Sequence, residues 1–235
     1  MSQNVEQKLW DRVYKILPIL RRVPFLRMVA VCNNLAFGKV SEKSDIDLFI
    51  IAKKGRLFTV RTIITVLLHL FGVRRHGDKV AGRFCLSFFT DDSFLDLSKI
   101  AIKDDIYLAY WIKTMIPVLD DGIYRKFIAD NGWISRYVDE SESFPHSRLL
   151  GSFERGFFKF VLNGYWGDFN EWILRWWQLR RALHKTKSAS ATASLIVNEH
   201  ILKFHNIDRR AEYRDAWIKK YGILEKVTCE KFLQL

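Results

Sequence analysis

The sequence predicts an α+β chain: a small sheet in its first hundred residues and a mostly α-helical region after that. Three observations predict it. Short apolar runs bounded by turn residues recur at about 25–32, 46–52 and 82–90. Segments with a helical apolar spacing stand before and between them. Beyond about residue 100 no run has strand character and the spacing reads as helical.

The elements follow in order. Residues 4–20 place Val5, Leu9, Val13, Ile16 and Leu17 on one stripe of a helix. A strand over 25–32 leads into a short turn and helix over 33–39, and a second strand covers 46–52. An apolar helix spans 56–72, ending near Gly72, and a third strand spans 82–90. Residues 106–119 and 122–137 read as helices separated by Asp120-Asp121-Gly122, with Pro117 kinking the first. Asp139 to Pro145 is a polar loop. An aromatic helical region runs from Leu149 to about His184, with a break at Gly164–Gly167. Residues 185–192 form a weak linker, and a last helical part carries Ile196, Ile201, Tyr213, Trp217 and Leu224.

The chemistry concentrates in Asn33-Asn34-Leu35-Ala36-Phe37-Gly38 and, seven residues later, Asp45-Ile46-Asp47-Leu48. Asp is depleted in strands, yet Asp45 and Asp47 open one. At i and i+2 they share a sheet face, where two like charges call for a counter-ion. Hard carboxylate oxygens suit Mg²⁺ or Mn²⁺. The alternative is a pair of solvated acids on an edge strand, but the apolar Phe49-Ile50-Ile51 that follows reads as buried.

The arrangement resembles the nucleotidyltransferase superfamily, over roughly residues 25 to 100. Ser44-Asp45-Ile46-Asp47-Leu48, Ala36 and Gly38 match the family pattern, and Asn33-Asn34 stand where it has Gly-Ser. The resemblance implies a small mixed β-sheet core over 1–100 and an appended helical domain over 101–235 that binds the acceptor. It implies that Asp45 and Asp47 hold the metal and that Asn33, Asn34, Gly38 and Ser44 face a nucleoside triphosphate. Asn33 tolerates positive φ, and the Asn34 amide can donate in place of the family serine. Phe37 stands where a basic residue is common. A third carboxylate is implied on the strand 82–90, which contains none. Asp91 is the nearest in sequence, and strand alternation puts it on one face with Cys85, Ser87 and Phe89. Asp91-Asp92-Ser93 also reads as a turn with a helix cap.

The implied reaction transfers a nucleoside monophosphate to a hydroxyl of RNA or a small molecule. A degenerate member that binds nucleotide or RNA, and a partner-binding structural protein, are the alternatives. Net charge is +12, with 17 Lys+Arg against 9 Asp+Glu in residues 1–100 and 21 against 17 in the remainder. Anionic partners follow. Arg74 to Lys79 either contacts phosphates or caps the preceding helix. The interleaved aromatics and cations between Phe153 and Arg181 fit a helical core with basic rims, a single-stranded nucleic-acid surface or a membrane-surface contact. The first residues do not read as a signal peptide. The best apolar segment, Phe58 to Val73, is broken by Arg61 and His69. Cys32, Cys85 and Cys229 read as thiols of a reducing, cytoplasmic compartment. The histidines have no zinc spacing, and His200 and His205 read as parts of a helix.

Overall fold

A computed structural model describes residues 2–139, 164–187, 194–205, 208–223 and 225–235. Its frame is a six-stranded mixed sheet in the order β4-β1-β2-β3-β6-β5. The strands are β1 (Leu26–Cys32), β2 (Ile46–Ala52), β3 (Phe84–Asp91), β4 (Ile116–Asp120), β5 (Ser194–Val197) and β6 (Ile201–His205). The β2–β3 pair is parallel, and every other neighbouring pair is antiparallel.

Helices cover both faces, so the central strands are mostly apolar on both sides. On one face, α1 (Ser2–Leu20) and α3 (Leu57–Leu70) pack their apolar stripes onto Val29, Val31, Leu48 and Ile50. Leu9, Val13, Leu17 and Leu20 of α1 are the spacing that makes this stripe. On the other face, α4 (Ile106–Thr114), α5 (Ile123–Asp130), α7 (Arg210–Tyr221) and α8 (Cys229–Leu233) enclose Met28, Ala30, Phe49, Ile51 and Phe88. The long α6 (Gly164–Lys187) lies outside α3.

The α+β class and all three N-terminal strands match the sequence expectation. The expectation that strands cease after residue 100 is corrected, because β4, β5 and β6 complete the same sheet. The sheet therefore draws strands from both sides of the boundary expected at residue 100. The helix expected over 106–119 stops at Thr114, and Pro117 lies in an edge strand opposite Ala30. The residue before a proline is biased to extended backbone, and an edge tolerates the missing N–H. The helix expected over 122–137 ends at Asp130, and a 3-10 turn over Gly132–Arg136 follows. Where a terminal helix was expected around Ile196 and Ile201, a β-hairpin forms. The Asn198 side-chain oxygen accepts from the His200 and Ile201 amides at 2.8 and 2.9 Å and closes its turn. His200 is therefore in a turn and His205 on β6, not on one helix. Residues 185–187 continue α6. The polar loop from 140 on, the aromatic stretch 149–163 and the linker residues 188–192 lie outside the described residues.

Candidate metal and nucleotide site

The site lies where β1 ends and β2 and β3 begin. Pairing sets Cys32, Asp47 and Cys85 in one row across these strands. Asp47 shares its face with Phe49 and Ile51, the side covered by α4 and α8. Asp45 precedes the strand by one residue, and the two carboxylates and the Cys85 thiol bring one ligand atom each within 4.8 Å of one another. The two carboxylates converge as their i, i+2 spacing predicts, although only Asp47 lies in the strand.

The turn after β1 is built for close approach. Asn33 opens the four-residue turn α2 (Asn33–Ala36) in the left-handed region at φ 56°, the conformation its short amide tolerates. Its side chain is held from two sides: Tyr107 Oη donates to its Oδ1 at 3.4 Å, and its amide donates to Asp47. Gly38 closes the turn at φ 70° with open space where a side chain would stand. Asn34 is exposed beside it. Phe37 points inward, its ring 5.1 Å from Tyr110 and 6.1 Å from Phe232, which ties the turn to α4 and α8.

Ser44 has a different part from the one expected. It is buried, its Oγ accepts from the Ser41 amide at 2.9 Å, and its carbonyl accepts from the Gly82 amide at 2.7 Å. It shapes the turn that delivers Asp45.

Asp91 does not reach the site. It pairs with Ala52, at the other end of β2 from Asp47, which is roughly 17 Å along the strand. It also points the wrong way. The β2–β3 register shifts between Asp47↔Cys85 and Phe49↔Phe88, inserting one extra residue into β3. That bulge reverses the alternation, so Phe89 joins the α1/α3 face with Phe84 while Phe88 joins the site's face. Asp91 is fully buried and committed locally. It accepts from Ser93 Oγ at 2.6 Å and faces His200 Nδ1 at 2.9 Å. This matches the turn part of the Asp91-Asp92-Ser93 reading, but no helix starts there, and the 3-10 turn that follows over Leu97–Ile100 is capped by Asp96. Cys85, not an acid, stands beside Asp47 on β3.

Arg75 is the residue that sequence reasoning placed only loosely. Its backbone amide bonds the Phe84 carbonyl at 2.9 Å, which pins the preceding loop to the start of β3. Its guanidinium then donates to Asp45 Oδ2 at 2.6 Å and lies 3.7 Å from the Cys85 sulfur. Tyr107 and Cys32 went unnoticed as neighbours of the site, since no local pattern marks them.

Charge is out of balance here. Burial, and then the neighbouring Asp45, push the Asp47 carboxyl up to about 6, against the pull of Asn33, Cys85 and Arg75. Burial, and then Asp47, push the Cys85 thiol up to about 12, so it stays protonated at neutral pH. No protein-family model, curated protein or solved structure matches the chain. The site's chemistry must therefore be read from its own donors. Two carboxylates fit one hard divalent ion, which takes one or two protein carboxylates and fills its other positions with water and phosphate oxygens. The third corner offers a neutral thiol, which is a poor ligand for Mg²⁺. The residues thus fit a single Mg²⁺ or Mn²⁺, with Arg75 paired to Asp45 beside them.

Proposed function

We propose that the chain is a metal-dependent nucleotidyltransferase that moves a nucleoside monophosphate from a nucleoside triphosphate to a hydroxyl of RNA or a small-molecule acceptor. The observation that carries this reading is the convergence of Asp45 and Asp47 beside the left-handed turn at Asn33. Asp45 and Asp47 would hold Mg²⁺ or Mn²⁺, which would supply charge neutralisation at the phosphates. The turn from Asn33 to Gly38 leaves room for the triphosphate to approach backbone and amide donors. Arg75 is poised to exchange Asp45 for a phosphate oxygen, a geometry guanidinium groups favour. The free thiols Cys32 and Cys85 beside the carboxylates fit a reducing compartment, the cytoplasm.

A second reading, nucleotide binding without transfer, is favoured by one specific feature. Cys85 holds its proton at neutral pH and Asp91 faces away, so no carboxylate on β3 accepts the proton of an attacking hydroxyl. Labelled nucleoside triphosphates with Mg²⁺ or Mn²⁺, offered RNA and cell-extract acceptors, separate the two. Label transfer lost in Asp45→Ala supports the transferase. A metal-dependent rise in melting temperature with triphosphate but no transfer supports binding alone. Transfer that survives Asp45→Ala refutes the metal site.

A further inference from the structure

The long helix α6 turns most of its aromatic side chains outward. Its inward side sets Leu174, Leu179 and Ala182 toward the core, with two buried polar residues among them. Glu171 and Gln178, both buried, lie seven residues apart and so on one face. The Glu171 carboxylate accepts from the Phe58 and Thr59 amides at 2.9 and 2.8 Å and from Thr59 Oγ1 at 2.5 Å. Gln178 donates to Thr62 Oγ1 at 2.8 Å and accepts from Arg61 at 2.5 Å. Arg56 binds Asp168 at 2.6 Å. These bonds fix which side of α6 faces α3.

The aromatic side is therefore turned outward by design of the inner contacts. Trp166 is 75% exposed, Phe169 53%, Trp172 55% and Trp176 51%. At 100° per residue they occupy an arc of about 120°, opposite the buried polar stripe. Isolated exposed apolar residues are ordinary, but a continuous aromatic stripe marks a contact surface.

We propose that this face of α6 is a membrane-surface contact, lying in the headgroup layer of an anionic bilayer with the helix parallel to its plane. Two observations choose this occupant. Arg180 and Arg181 stand at the end of the stripe, and the whole chain carries +12, which complements anionic headgroups. Tryptophan suits this layer because one side of the indole is apolar and its N–H is polar.

Single-stranded nucleic acid fits less well. It needs open ring faces for base stacking. The Arg180 guanidinium lies 4.3 Å from the Trp176 ring centroid, Arg181 lies 5.5 Å from that of Trp177, and Phe169 stacks on Trp172.

The test is co-sedimentation of the full chain with phosphatidylcholine vesicles, with and without phosphatidylglycerol. Binding is expected only with the anionic lipid, together with quenching of tryptophan fluorescence by brominated acyl chains. Trp172→Glu with Trp176→Glu should lower the partition at least about tenfold, with an unchanged unfolding temperature. If that pair perturbs folding, Trp166→Ser alone at the most exposed indole should still weaken binding measurably. The proposal is overturned by no sedimentation with anionic vesicles, or by sedimentation indifferent to these substitutions. It is equally overturned if the substitutions abolish binding to oligouridylate, or a concentration-dependent dimer, while vesicles are not bound.

Discussion

Asp47 works against the stability of the metal-free protein. Its carboxyl titrates near 6 in the fold and near 4 in an unfolded chain. Between those values the native state binds more protons than the unfolded one, so stability falls as pH rises from about 4 to about 6. Asp47→Asn should therefore raise the melting temperature of the metal-free protein at pH 7, by on the order of 1–2 kcal/mol of stability, and leave it nearly unchanged at pH 4. The same variant should lose the heat of Mn²⁺ binding. A pH-independent effect would mean that Asp47 is not the charge the site must neutralise. Cys85 offers the converse experiment. Cys85→Asp places a third carboxylate in the row beside Asp47, and it should tighten Mn²⁺ binding and raise nucleotidyl transfer. Unchanged transfer with tighter metal would point to the binding-only reading. At this scale the sequence was legible where the signal is local. Two aspartates in an apolar strand and an asparagine suited to positive φ are visible in a few consecutive residues. Asp91 was misplaced because one inserted residue in β3 reverses every later side chain, and nothing in Phe84 to Asp91 announces the bulge. Arg75 could be placed near phosphates or near a helix end, and only the pairing of its loop with β3 decides between them.

Elements here are held by polar groups that their own sequences do not explain. α3 begins after Arg56 without a capping side chain of its own. Glu171, far away in sequence, supplies the acceptor for its first amides and the negative charge that a helix N-terminus favours. Glu171→Ala should cost roughly 1–3 kcal/mol, since it leaves buried amides without an acceptor. Hydrogen exchange should then show Phe58 and Thr59 losing protection before the sheet does. Protection that stays unchanged would show that α6 contributes nothing to α3. A similar link joins α7 to α4. The buried Asp105 accepts from the Leu108 amide at 2.9 Å, capping α4, and pairs with Arg210 at 3.1 Å. Such contacts explain what the sequence hid. Periodicity finds apolar faces, so α1 and α3 were evident. It misreads α6, because Glu171 and Gln178 are buried there beside Ala182 while Trp166, Phe169, Trp172 and Trp176 are exposed. It also reads Ile106 to Leu119 as one helix, because a short apolar run is compatible with either a buried helix or an edge strand.

Over the whole molecule, one sheet gathers strands from both ends of the chain. Residues 1–100 alone would leave β1 without β4 and β3 without β6. Those edges belong to strands that are apolar on both faces, which are templates for association. A chain ending at residue 100 should therefore be insoluble or aggregate on purification, whereas the 235-residue chain should unfold in one cooperative transition. A soluble, folded 1–100 fragment with native-like circular dichroism would show that the sheet is stable without its later strands. The same topology bears on how the protein is made. β3 ends at Asp91 and its partner β6 starts at Ile201, so 110 residues must be added before that edge is paired. At roughly 5–20 residues per second, ribosomes need on the order of 5–20 s for this. Throughout that interval an apolar strand waits for a neighbour that has not yet been synthesised, which makes the nascent chain a client for chaperones that bind extended hydrophobic segments. Slowing translation between codons 92 and 200 should lower the soluble yield, while the finished protein would bear no trace of the delay.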